Sequence, residues 1–295
     1  MVKFSNRRYP VGIQTFSEVV REKYIYVDKT DLVWQMAHYA KYIFLSRPRR
    51  FGKSLLTTTL DSYFSGARDL FKGLKIMDYE QEWENYPVIH LDLSIAKSQA
   101  TADALKSKLM LLLKDLTEIY GKDEDEVTPG GLFSGIIKRA NRQTGKQVVV
   151  IIDEYDAPLL DVLHNDDVLD DVRRVMQELY QPLKVHEAMI RFCFITGITR
   201  LSQLNIFSTL NNLTNISLVP RFSSLCGIAE EELMERISES TKSVVDHFAP
   251  HICFINTMRN MSVSCDCEGL AAEPVVTPNV GILSSTDILA IDQAC

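Results

Sequence analysis

The sequence predicts an α/β fold, a parallel sheet flanked by helices, on three observations. Strand-like apolar runs alternate with helical periodicities between residues 42 and 218. One run, Val148-Val149-Val150-Ile151-Ile152, is apolar without alternation, as a strand covered on both faces must be. The composition, 46% hydrophobic and 24% charged over 295 residues, excludes disorder or a collagen-like repeat as a description of the whole chain.

The elements come in this order. Tyr42-Ile43-Phe44-Leu45 is the first strand and runs straight into the basic loop Ser46-Arg47-Pro48-Arg49-Arg50-Phe51-Gly52-Lys53-Ser54. Leu55, Leu56, Thr59, Leu60 and Tyr63 then recur at helical spacing, predicting a helix over 55–63. Pro87 opens a second strand over 88–93, and residues 97–120 read as a long amphipathic helix. Pro129-Gly130-Gly131 is expected to break the pattern, with a helix resuming over 132–140. The third strand, 148–152, ends in Asp153-Glu154, and the next helix spans 168–187. A fourth strand, 191–196, is closed by Gly197, and 216–218 is the fifth. Right-handed crossovers join such strands.

The chemistry concentrates in two places. Gly52-Lys53-Ser54 sits at a strand-to-helix turn, where backbone N–H groups and the helix N-terminus make an anion site. There Lys53 reaches the β- and γ-phosphates of a nucleotide, and the Ser54 hydroxyl ligates Mg²⁺. Arg47 stands where the general G-x-x-x-x-G-K-S/T motif has its first glycine. Roughly a hundred residues on, the buried strand ending in Asp153 supplies a carboxylate for the same Mg²⁺. Glu154 next to it can deprotonate the attacking water. The two together point to a P-loop nucleotide site; either one alone is an ordinary basic loop or a solvated acidic pair. Thr196 at the end of the fourth strand either senses the γ-phosphate or simply caps the strand. Arg200 is either an arginine finger or a surface residue. Arg47, Arg49 and Arg50 are open between binding phosphate, pairing with Asp153 or Asp156, and meeting nucleic acid.

Charge and cysteine patterning separate the chain into parts. Residues 1–53 carry 11 Lys+Arg against 4 Asp+Glu, a net +7, whereas residues 54–250 carry a net −10. Residues 251–295 hold one basic residue, Arg259, and four of the six cysteines: Cys253, Cys265, Cys267 and Cys295. These lack the paired spacing of a zinc site and are read as unrelated cytosolic thiols. The longest wholly aliphatic run, 148–152, is far short of the roughly 18 residues needed to span a bilayer. The start, MVKFSNRRYP, has no apolar signal stretch, so a cytoplasmic location without membrane contact is expected.

Five segments resemble the predicted AAA-ATPase-like proteins of gut and anaerobic bacteria. They are YPVGIQTFSEVVREKYIYVDKT at 9–30, FLSRPRRFGKSLL at 44–56, YPVIHLDLS at 86–94, VVVIIDEYDAPL at 148–159 and FITGITRLSQLNIFSTLNNLTNISL at 194–218. The resemblance covers about residues 9–240. It implies an ASCE-type, AAA-like P-loop core with strand order 5-1-4-3-2, a helical lid, and ATP with Mg²⁺ as ligands. RPRRFGKS is that family's usual loop, so Arg47 does not argue against ATP.

By carry-over, Arg49, Arg50, Phe51, Gly52, Lys53, Ser54, Leu55 and Thr196 are expected to bind the nucleotide. Ser54 and Asp153 are expected to hold the metal, and Glu154 and Arg200 to act in catalysis. Asp28 or Thr30 is expected to cap a helix. Longer members often carry a C-terminal PD-(D/E)XK nuclease-like domain, and residues 251–295 match no C-terminal segment of those members. The expected organisation is an N-terminal segment (1–35), a P-loop core (36–225), the start of a lid (226–250) and a divergent tail (251–295), read as either a truncated or frame-shifted end or a genuine short variant.

The expected function is ATP hydrolysis that drives or gates a partner, either another protein or a second copy of the chain. A non-hydrolysing nucleotide switch is the alternative from a different class. A nucleic-acid-associated ATPase of a defence or mobile-element system is the other, suggested by the basic first 53 residues.

Overall fold

The computed structural model describes residues 8–96, 101–160, 162–199, 212–229, Glu232, 254–258 and 281–285. The chain divides into two compact units, residues 5–229 and the remainder. The larger unit opens with helices α1 (Phe16–Arg21) and α2 (Thr30–Ala37), then strand β1 (Tyr42–Ser46) and helix α3 (Lys53–Phe64). Then come β2 (Val88–Asp92), α4 (Ala102–Tyr120), α5 (Pro129–Thr144) and β3 (Val148–Asp153). It continues through α6 (Ala157–Leu160), α7 (Asp166–Val185), β4 (Ile190–Gly197) and β5 (Thr214–Asn215).

All five strands are parallel, in the order β2-β3-β4-β1-β5, which is the 5-1-4-3-2 order that the resemblance implies. Successive side chains on a strand face opposite sides, and that periodicity builds two cores. Val148, Val150 and Ile152 join Tyr42, Phe44 and Ile195 in packing on α4, α5 and α7. Val149 and Ile151 join Ile43, Leu45, Phe192 and Phe194 in packing on α2 and α3. Every residue of β3 is buried, so this strand needs apolar side chains on both faces. Each such Val or Ile contributes roughly 1.5–3 kcal/mol by burial.

The structure corrects several boundaries. Pro129-Gly130-Gly131 does not interrupt a helix; it forms the first turn of α5. The Thr128 hydroxyl caps that turn by accepting from Gly131 N at 3.2 Å, and Pro129 at the first position gives up an N–H that has no helical partner anyway. Gly130 is required there, since a Cβ would lie 2.5 Å from Glu178 O on α7. The fifth strand lies two residues earlier than expected, with Ile216 N still donating to Phe44 O at 2.9 Å. Within residues 251–295, β6 (Phe254–Met258) and β7 (Gly281–Ser285) pair antiparallel. Most of the expected lid, 226–250, and the four C-terminal cysteines lie outside the described residues. Among the described residues, no helix is long and apolar enough to cross a membrane.

Candidate functional site

The site forms where β1, β3 and β4 end side by side. Ser46 closes β1 opposite Gly197 of β4, and Arg47 N donates to Gly197 O at 3.1 Å. Between that bond and α3, the loop turns twice through left-handed backbone, at Arg50 (φ 66°) and Gly52 (φ 78°). Gly52 suits this conformation because it has no Cβ to strain; Arg50 bears a cost of roughly 1–2 kcal/mol. Helix α3 then starts with Leu56 N bonded to Gly52 O at 3.1 Å. The amides of Lys53, Ser54 and Leu55 therefore precede its first intrahelical bond and carry the positive end of its dipole.

Lys53 is buried, with 6% exposure, and its ammonium donates to the carbonyls of Arg47 (3.2 Å) and Pro48 (3.1 Å) inside the loop. Arg49, Arg50 and Phe51 are exposed on the crest of that loop. The Phe51 ring lies over Gly227, whose added Cβ would meet the ring at 3.1 Å.

Arg47, in the place of the first motif glycine, faces backbone carbonyls. It donates to Ser46 O (3.0 Å), Ser217 O (2.7 Å) and Phe222 O (3.2 Å), tying the loop base to the segment after β5. Buried Lys29 grips the same segment further on, through Ser224 O (2.5 Å) and Gly227 O (2.9 Å). Its neighbour Asp28 accepts from Thr30 N (3.0 Å), the Thr30 hydroxyl (2.7 Å) and Lys75 N (2.8 Å). The N-cap position of α2 is Lys29, with no side-chain cap bond, so neither Asp28 nor Thr30 is the expected cap; Asp28 instead ties residue 75 to the start of α2.

Asp153 is the last residue of β3, 2% exposed and in register with Asp92 of β2. Its carboxylate accepts from Glu154 N at 2.8 Å, and the Ser54 hydroxyl lies near enough to act on its proton affinity. Burial pushes the Asp153 carboxyl above its ordinary value; the nearby Ser54 hydroxyl opposes this, and the Asp92 charge adds to it. Glu154 is half-buried at φ 49°, turning the chain out of the strand. Thr196 is wholly buried, and its hydroxyl donates to Leu45 O at 2.8 Å, between strands. Arg200 lies outside the described residues.

The donor set suits a magnesium nucleotide: a hydroxyl and a buried carboxylate lie close to each other, with a buried ammonium and the amides that open α3 in the same loop and helix start. Hard oxygen ligands of this kind are what Mg²⁺ takes, with phosphates completing its shell. A cavity of about 510 Å³ lies elsewhere, lined by Tyr86, Val88, Tyr120 and Lys146 near the starts of β2 and β3. It takes no part in this arrangement.

Sequence reasoning missed Arg47 as a structural tie, Lys29 as a clamp, and the last two residues of Asp153-Glu154-Tyr155-Asp156. Buried Asp156 accepts from Ile198 N (3.0 Å) and Thr199 N (2.6 Å). The Tyr155 hydroxyl donates to Thr199 O at 3.0 Å. The only signal was the presence of these residues inside three of the segments that carry the resemblance.

A parallel sheet of this order, with a Gly-Lys-Ser loop after β1 and a buried aspartate ending β3, defines the P-loop nucleotide-binding ATPase fold. The chain matches the family described as Predicted AAA-ATPase over residues 10–207 and belongs to that family. It is 35% identical, over 230 residues, to an uncharacterized protein in the vnfD 5′ region of Azotobacter chroococcum. That match covers 78% of this chain and 44% of the relative, so the chain spans less than half of the relative's length. Among solved structures it is similar to the Aeropyrum pernix ORC2 protein, determined as ADPNP-ADP complexes. There the TM-score is 0.38 and the identity 14%, covering 74% of this chain and 53% of that one. It is also similar to a chain of Drosophila ORC bound to poly(dA/dT) DNA and Cdc6. In that case the TM-score is 0.32 and the identity 15%, covering 68% and 28% of the two chains.

Proposed function

We propose that the chain binds Mg-ATP on the loop of residues 48–55 and hydrolyses it to ADP and phosphate, driving or gating a partner. The observation that carries the reading is the meeting of the Ser54 hydroxyl with buried Asp153 beside buried Lys53. Ser54 and Asp153 would hold the metal, which would offset phosphate charge there. Lys53 supplies the fixed positive charge, and the amides of 53–55 the N–H donors. Arg49, Arg50, Phe51 and Leu55 border the same loop.

Glu154 takes a proton from water as the water oxygen bonds to the γ-phosphorus and the bond to the β–γ bridging oxygen breaks, leaving ADP. Thr196 joins only by releasing Leu45 O, because its single donor is spent there. Arg200 is assigned to charge stabilisation during that step. The partner is a protein or a second copy of the chain.

Phosphate release from ATP by the wild type and by Glu154→Gln tests the reading. Loss of at least about 100-fold in turnover, with ATP affinity within about threefold, is expected. Equal phosphate release from the two proteins, with ATP still bound, refutes hydrolysis at this site.

A further inference from the structure

Two turns leave the sheet next to each other. One comes after β3 and carries Glu154, Tyr155 and Asp156; the other comes after β4 and carries Ile198 and Thr199 before Arg200 in the chain. They are joined by four hydrogen bonds. Tyr155 N donates to Thr196 O (3.0 Å), and Ile198 N and Thr199 N both donate to Asp156 Oδ2 (3.0 and 2.6 Å). The Tyr155 hydroxyl donates to Thr199 O (3.0 Å).

Packing makes the junction rigid. A Cβ on Gly197 would fall 2.5 Å from both Asp156 Oδ1 and the Tyr155 ring, so only glycine allows the two turns this close. The Tyr155 ring stands edge-on to Phe44 of β1 with centroids 5.3 Å apart, and its backbone carbonyl accepts from the Tyr180 hydroxyl of α7 at 3.2 Å. Asp156 is 1% exposed. One carboxylate oxygen accepts from two amides, while the other is buried with no hydrogen-bond partner among the described residues.

A buried carboxylate with an unsatisfied oxygen is costly to keep if its task is only to hold a turn. It is worth keeping where the turn it holds must be placed accurately. We infer that Asp156, with Tyr155, is a positioning residue that locks the Glu154 turn to residues 198 and 199, so that the base and the turn after β4 are presented to the γ-phosphate as one unit. The inference rests on the hydrolysis reading above and deepens it. Asp156 acts through the two amides it accepts from, not by touching the nucleotide. Displacement of a positioned base by about an ångström is enough to cost about two orders of magnitude in rate.

The experiment compares Asp156→Ala, Asp156→Asn and Tyr155→Phe with the wild type and Glu154→Gln. ATP turnover is resolved into kcat and KM, and hydrogen exchange is followed in the peptide spanning 196–200. Asp156→Ala is expected to lower kcat about 10- to 100-fold with KM within about twofold, and to speed amide exchange at 198 and 199. Asp156→Asn keeps an acceptor oxygen and is expected to recover most of kcat, within about fivefold of wild type. Tyr155→Phe removes one bond and keeps the ring, and a loss of kcat of about three- to tenfold is expected.

The inference is overturned if Asp156→Ala and Tyr155→Phe, shown to be folded by ATP affinity within about threefold, turn over at the wild-type kcat. It is also overturned if their loss appears in KM alone. A wild type that binds ATP and releases no more phosphate than Glu154→Gln overturns the hydrolysis reading and this inference with it. Full Asp156→Ala activity beside an inactive Glu154→Gln overturns this inference and leaves that reading standing.

Discussion

Replacing Arg47 by alanine separates a structural arginine from a phosphate-binding one. Its guanidinium donates to three carbonyls, and two of these, Ser217 and Phe222, are about 170 residues away in sequence. A hydrogen bond to a charged group contributes roughly 1.5–3 kcal/mol. Arg47 is half-buried and Ser46 O is its own neighbour, so the two long-range bonds at the low end of that range set the scale. The expected loss is about 2–3 kcal/mol. With a urea m-value of about 2–3 kcal/mol/M, the unfolding midpoint drops by about 1 M. Arg47→Lys is expected to lose nearly as much, because an ammonium cannot span the carbonyls that the fork spans. ATP affinity, measured below the transition, is expected to stay within about threefold. A midpoint shift under about 0.2 M together with a roughly tenfold or larger loss of ATP affinity would sink the assignment and return Arg47 to the phosphates.

The junction and the buried aspartate each give a further expected outcome. Gly197→Ala puts a methyl group 2.5 Å from Asp156 and Tyr155, and overpacking of that kind costs about 1–3 kcal/mol; differential scanning calorimetry should show a melting temperature lower by several degrees. Burial raises the Asp153 carboxyl above 3.8, so the folded chain holds that proton more tightly than the unfolded chain does. Its ionisation therefore opposes folding at neutral pH, and this penalty disappears as the pH falls below 3.8. Asp153→Asn is expected to be more stable than wild type at pH 7 without nucleotide, to lose that advantage toward about pH 4, and to bind ATP without a gain from Mg²⁺. Urea titrations at several pH values check the first part; a variant less stable at pH 7 than at pH 4, relative to wild type, contradicts it.

Legibility in the sequence depended on whether a residue's partner could be read from side-chain identity. β3 was legible because two-sided burial forces every position to be apolar, and Gly52, Lys53, Ser54 and Asp153 were legible because their chemistry and spacing form one pattern. Pro129-Gly130-Gly131 was misread as a break because the cap that starts α5 is the Thr128 hydroxyl just before it, which turns a proline from a breaker into a first-turn residue. Arg47, Lys29 and Asp156 were illegible for a shared reason. Apart from Ser46 O beside Arg47, their partners are backbone carbonyls and amides 42 to 198 residues distant, and backbone groups leave no trace in the identity of the residues that carry them.

Nucleotide binding at the loop is tested most directly by isothermal titration of ATP into the wild type and Lys53→Ala, each with and without Mg²⁺. One site per chain is expected, tighter with Mg²⁺ in the wild type. Affinity is expected to be at least about 30-fold weaker in Lys53→Ala, equivalent to about 2 kcal/mol for the lost ammonium–phosphate contact. Equal affinity in the two proteins, or no binding by the wild type, would contradict a nucleotide site on the loop of residues 48–55.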